Sequence, residues 1–145
     1  MKSMFIAICL MVSFLSQTSM AAEPKLTNRI VNAFQTSFTE AEDAQWSQVE
    51  DLFKVNFTWN DRRMFAFYNT HGDLVVTGRY LSVKQLPKAA QQKLTAEAKG
   101  AAVTETFEIS EGVDTKYYAT IDNGNELKVV VSTGGKWSQY RTIRK

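Results

Sequence analysis

Histidine, cysteine and proline are nearly absent from this chain: one His, one Cys and two Pro in 145 residues. The lone imidazole, His71, has no second histidine with which to share a metal, and no nucleophile motif accompanies it. The lone thiol, Cys9, lies inside an apolar run from Met4 to Leu15. Charge of one sign is also scarce, since 17 Lys and Arg against 15 Asp and Glu leave a net +2 spread along the chain. Binding to a phosphate backbone needs a basic stripe, so nucleic acid is excluded as a partner class. The densest basic run, "RTIRK" at the C-terminus, reads as a solvated tail. There is no Gly-rich phosphate loop, no dinucleotide fingerprint, and no G-x-S-x-G setting around Ser47, Ser82 or Ser110. The expectation is a protein without cofactor, without metal and without enzymatic activity.

The N-terminus, by contrast, is informative. Lys2 precedes the apolar run, and Ser19-Met20-Ala21 follows with the small-x-small spacing that signal peptidase reads. Residues 1–21 are therefore expected to be a signal peptide, with the mature domain at 22–145 and a periplasmic or secreted location. Removing the leader removes Cys9, so the mature chain has no disulfide, thiolate nucleophile or cysteine metal site. The leader's apolar run is too short to span a bilayer, and no later segment approaches spanning length.

Hydrophobic residues make up 44% and aromatics 12%, enough for a packed interior. Pro24 is placed in the first turn of a helix whose apolar face is Leu26, Ile30, Val31, Phe34 and Phe38. The period then changes to two: "AQWSQVE", "DLFKVNFTWND", "RRMFAFYNT" and "DLVVTGRYL" read as strands. A second helix follows in "QLPKAAQQKLTAEAKG", opened by Pro87 and closed by Gly100. Four more strands lie in "AVTETFEIS", "DTKYYATID", "ELKVVVST" and "KWSQYRTI". Pro24 and Pro87 are 63 positions apart, and at that offset Asn60 falls on Asn123, Thr70 on Thr133 and Gly72 on Gly135. The fold class expected is α+β: two tandem repeats, about 24–82 and 86–145. Each is a helix plus a four-stranded antiparallel sheet, with both helices on one face of a continuous sheet.

The repeat also bears on His71, because "NTHGDL" then corresponds to "STGGKW". His71-Gly72 is expected to be a two-residue hairpin turn at positive φ rather than a catalytic group. "IDNGNEL" lacks calcium-loop spacing and reads as a type I′ turn at Asn123-Gly124. The cluster Glu40, Glu42, Asp43, Glu50 and Asp51 lies in polar connectors and is expected to be solvated rather than a carboxylate pair for acid–base work.

Aromatics are what remains in excess. Adjacent strand residues point to opposite sides, so Tyr117 and Tyr118 cannot share a face, nor can Phe65 and Phe67 share one with Met64, Ala66 and Tyr68. Helices on one face leave the other to solvent or to a partner, and Tyr and Trp suit recognition there. The candidates for partner binding are Trp59, Tyr68, Tyr117, Trp137 and Tyr140. Ordinary cross-strand packing is the competing reading, and it is preferred for most of the aromatics.

A leader followed by "NAFQTSFTEAEDAQW", "FKVNFTWNDRRMFAFYNTHGDLVVTGRYLSVKQLP" and "YYATIDNGNELKVVVSTGGKW" resembles the PepSY-like, β-lactamase-inhibitor-like family of periplasmic proteins from Bacteroidetes. The shared features are Phe followed by Trp46, the Phe53–Phe57 strand, "AFYNTHGDL", Arg79 and the Leu86-Pro87 helix opening. The resemblance implies two helix-plus-sheet repeats like those of the β-lactamase inhibitor protein, and a secreted protein without catalysis. The expected function is a binding or inhibitor-like module engaging a protein or peptide of the cell envelope. The alternative is a carrier of a small apolar or envelope molecule between helices and sheet, around Ala90, Leu94 and Ala98.

Overall fold

The computed structural model describes residues 24–111 and 113–145, so the expected signal peptide and Cys9 lie outside the described residues. Helix α1 (Asn28–Ser37) is followed by strands β1 (Glu42–Val49), β2 (Leu52–Trp59), β3 (Arg62–Tyr68) and β4 (Leu74–Leu81). A 3-10 turn (Val83–Gln85) leads into helix α2 (Lys88–Ala98). Strands β5 (Ala102–Glu111), β6 (Asp114–Asp122), β7 (Glu126–Thr133) and β8 (Lys136–Arg144) complete the chain. In hydrogen-bonding order the strands run β1 to β8 in one eight-stranded antiparallel sheet. The chain divides within β4 into two compact units, one up to Gly78 and the other Arg79–Lys145.

In the first unit α1 begins later than Pro24 suggested. Thr27 is its N-cap, with Oγ1 accepting from Ile30 N at 3.4 Å, because a hydroxyl there replaces a missing intrahelical partner. Pro24 precedes the helix, and Val31 is only half-buried, one residue off the packed stripe. Ile30, Phe34 and Phe38 meet Phe53, Val55 and Phe57 of β2 and Ala66 and Tyr68 of β3. Phe34 centres this cluster, with ring centroids 5.0 Å from Phe57, 5.4 Å from Trp46 and 6.4 Å from Tyr68.

Strand β3 is buried on both sides. Phe65 and Phe67 alternate away from the α1 cluster, yet neither is exposed at all. The Phe65 ring lies over Gly78 of β4, and the Lys54 ammonium sits 5.6 Å and 5.8 Å from the Phe65 and Phe67 centroids. Lys54 is itself buried, its stem and charge packed against those rings.

In the second unit α2 starts after Pro87 and stops at Lys99, which takes the left-handed conformation (φ 50°) ahead of Gly100 (φ 85°). Ala90, Leu94 and Ala98 pack on Leu81, Ala119, Ile121 and Val130. On the opposite side of β5, β6 and β7, Phe107, Ile109, Tyr118 and Val129 are buried as well. "RTIRK" is not a solvated tail: Arg141–Arg144 belong to β8, and Lys145 binds both carboxylate oxygens of Asp122 at 2.8 Å. That ammonium, and then the Gly124 backbone N–H, hold Asp122 below the usual carboxylate pKa.

Candidate functional site

The hairpin tips settle the polar candidates first. His71 is exposed in a five-residue loop, Asn69–Asp73, in which Asn69 Oδ1 accepts from the backbone N–H of His71 and of Asp73, both at 2.9 Å. Only Gly72 has positive φ there (85°), so the expected two-residue turn is replaced by an Asx-stabilised loop. The two-residue turn does occur at Gly134-Gly135, both at positive φ, between the paired Thr133 and Lys136. "IDNGNEL" also departs from the type I′ expectation. Asn123 Oδ1 accepts from Asn125 N and Glu126 N, and Gly124 alone is left-handed.

Glu40, Glu42, Asp43, Glu50 and Asp51 are all exposed. Among the described residues, no three His, Cys, Asp or Glu side chains converge in a metal-holding group. An open polar cleft of about 440 Å³ opens where β1 bulges between Glu42 and Gln45, lined by Asp43, Gln45, Asn56, Thr58 and Arg63.

The five aromatic candidates separate by strand parity. Trp59 is half-buried, edge-on to Phe38 at 5.4 Å, and its Nε1–H donates to Thr39 O at 2.9 Å. Trp137 does the same in the second unit, donating from Nε1 to Ala90 O of α2 at 2.8 Å. Each indole has its one donor engaged in holding its own helix region. Tyr117 packs on the α2 cluster. Tyr68 is fully buried in the α1 cluster, which corrects its assignment as a surface group. Burial raises its phenol pKa above 10.0, while the Ser37 side chain acts in the opposite direction.

Only Tyr140 stands away from a helix. Its ring meets Tyr118 edge-on at 5.9 Å, Tyr118 stacks on Phe107 at 5.0 Å and 10°, and Phe107 meets Tyr80 at 6.5 Å. This ladder crosses the second unit on the side opposite α2, since Tyr118 alternates with Tyr117 and Ala119, which face it. Phe107 and Tyr118 are buried in its middle, and Tyr80 and Tyr140 are half-exposed at its ends. Between β4 and β5, Arg79 Nη2 pairs with Glu108 Oε1 at 2.8 Å.

Sequence reasoning therefore missed Tyr80, Phe107 and Tyr118. The adjacent tyrosines Tyr117-Tyr118 carried the signal that one ring must oppose the helix, but not which one.

No family model matches the chain, and no curated protein matches it. Solved structures do. A BLIP-like protein from Bacteroides fragilis superposes with a TM-score of 0.66 at 14% identity, over 82% of this chain and 87% of that one. A candidate periplasmic protein from Bacteroides eggerthii gives 0.68 at 13% identity, over 83% and 90%. A DUF2874 family protein from Bacteroides uniformis gives 0.68 at 14%, over 82% and 89%. At these identities the likeness is one of fold, and the chain has the fold of these BLIP-like and DUF2874 proteins.

Proposed function

We propose that this chain is an exported, non-enzymatic binding module of the PepSY-like, inhibitor-like kind, working in the periplasm. It engages a protein or peptide through the sheet side of the second unit opposite α2. The observation that carries this reading is the ladder Tyr80–Phe107–Tyr118–Tyr140. Two buried rings fix the ladder, and two partly exposed tyrosines offer ring surface to a partner. The leader-like N-terminus and the fold shared with a candidate periplasmic protein support the location. The two-repeat organisation belongs to the same proposal. Its support is the element order, in which β2 and β3, moved 63 positions along the chain, fall on β6 and β7.

The carrier alternative is less well supported. Ala90, Leu94 and Ala98 are each at most 8% exposed and packed against strand side chains, where a ligand pocket would need open volume.

The test is affinity capture from envelope extract with wild-type bait and with a Tyr80→Ser/Tyr140→Ser bait. A protein enriched near stoichiometry by the first and lost about tenfold or more by the second supports the module. Equal capture by both baits, with both folded, refutes this face as the binding surface.

A further inference from the structure

The two edge strands of the sheet carry opposite charge. On the β1 side, Glu40, Glu42, Asp43, Glu50 and Asp51 are exposed, and no Lys or Arg occurs between Arg29 and Lys54. On the β8 side, Lys136, Arg141, Arg144 and Lys145 are exposed, and no Asp or Glu follows Glu126. Among the described residues no further strand pairs with the outer side of either. An unpaired edge presents a row of backbone donors and acceptors that templates another strand, and charge decides which strand it accepts.

We propose that the β8 edge of one copy pairs with the β1 edge of the next, giving a weak, salt-sensitive head-to-tail association. The charges match at both ends at once. Glu42 and Glu50 bracket β1 at the same eight-residue separation at which Lys136 and Arg144 bracket β8. An antiparallel pairing, like the ladders within the molecule, sets Arg144 beside Glu42 or Asp43 and Lys136 beside Glu50. Pairing like with like is disfavoured, since two β1 edges would oppose carboxylates and two β8 edges would oppose cations. A two-fold edge dimer is thereby suppressed, whereas the heterologous contact leaves a free edge at each end and permits growth. The β1 bulge, with Asp43 at φ 53°, interrupts the first residues and leaves Gln45–Val49 as the regular pairing stretch. Five residues of ladder between exposed strands make a reversible contact.

The experiment is sedimentation velocity on protein purified from cells expressing the full 145-residue sequence, at about 20 mM and about 500 mM NaCl, where screening lengths differ several-fold. Wild type is expected to associate at low salt and dissociate at high salt. Lys136→Glu/Arg144→Glu and Glu42→Lys/Glu50→Lys, which reverse the charges set to meet at the two ends of β8 and of β1, are each expected to associate about tenfold more weakly or worse alone. Their equimolar mixture is expected to recover association, which also shows that both are folded. A wild type monomeric at about 0.5 mM in low salt overturns the proposal and leaves the charges as guards against edge pairing. So does association unchanged by either reversal, or a mixture that fails to associate.

Discussion

Gly78 is the most exacting test of how the first unit is packed. A Cβ placed there would lie 2.0 Å from Phe65 Cζ and 2.6 Å from both Cε atoms. Carbon atoms pack at about 3.5–4.0 Å, so the ring would have to move by about 1.5 Å. It has nowhere free to go, because Phe65 is fully buried and its centroid stands 6.2 Å from that of Phe67. Overpacking of this kind costs about 1–3 kcal/mol. Against it, Gly78 is not at positive φ, so alanine there recovers about 0.4–1 kcal/mol from the unfolded chain. With a clash this deep the steric cost wins, and Gly78→Ala is expected to destabilise by about 2 kcal/mol. The assay is urea unfolding followed by tryptophan fluorescence, where that loss lowers the midpoint by about 1 M. In a Phe65→Leu background the same substitution is expected to be near neutral or stabilising, because the atoms it strikes are gone. A Gly78→Ala protein as stable as wild type would refute the ring-on-glycine packing.

Burial raises the Tyr68 pKa above its ordinary 10.0, so the unfolded chain releases that proton first. The stabilisation is complete below pH 10 and is lost as pH rises beyond it, at up to about 1.4 kcal/mol per pH unit for one proton. Unfolding free energy measured from pH 9 to 11 should therefore fall more steeply for wild type than for Tyr68→Phe, and equal slopes would contradict the assignment. Trp137→Phe removes the donor to Ala90 O while keeping most of the ring, with an expected cost of about 1 kcal/mol by urea unfolding. Capture of a partner should persist in that variant, and its loss would return Trp137 to the binding surface.

Much of the element order was readable from periodicity. "FKVNFTW" alternates so regularly that Phe53, Val55 and Phe57 could only be one side of a strand, and the structure packs those three against α1. The helix starts were less legible. Pro24 is a permissible first-turn residue, but the Thr27 hydroxyl supplies a cap that a missing N–H does not, and α1 begins there. Turn geometry was misjudged for a similar reason. Asn69 and Asn123 use their side-chain oxygens to bind following N–H groups, so three- and five-residue loops replace the shorter turns that Gly alone suggested.

The candidate site shows where sequence stops. Alternation states that Tyr117 and Tyr118 oppose one another, and Phe65 and Ala66 likewise, because successive side chains leave a strand on opposite sides. It is silent on which side the helix covers, since that depends on residues distant along the chain meeting across the sheet. Ala90 and Leu94 decided it for Tyr117, leaving Tyr118 to stack on Phe107 on the other side. Burial is equally non-local: Phe65 and Phe67 lie away from α1 and yet are inaccessible, one of them resting on a glycine further along the chain. The sequence by itself thus determined the strands, the helices and the charges that edge β1 and β8. Only the tertiary structure decided which aromatics are core and which stay partly exposed, because exposure is a property of what packs on a residue and not of the residue.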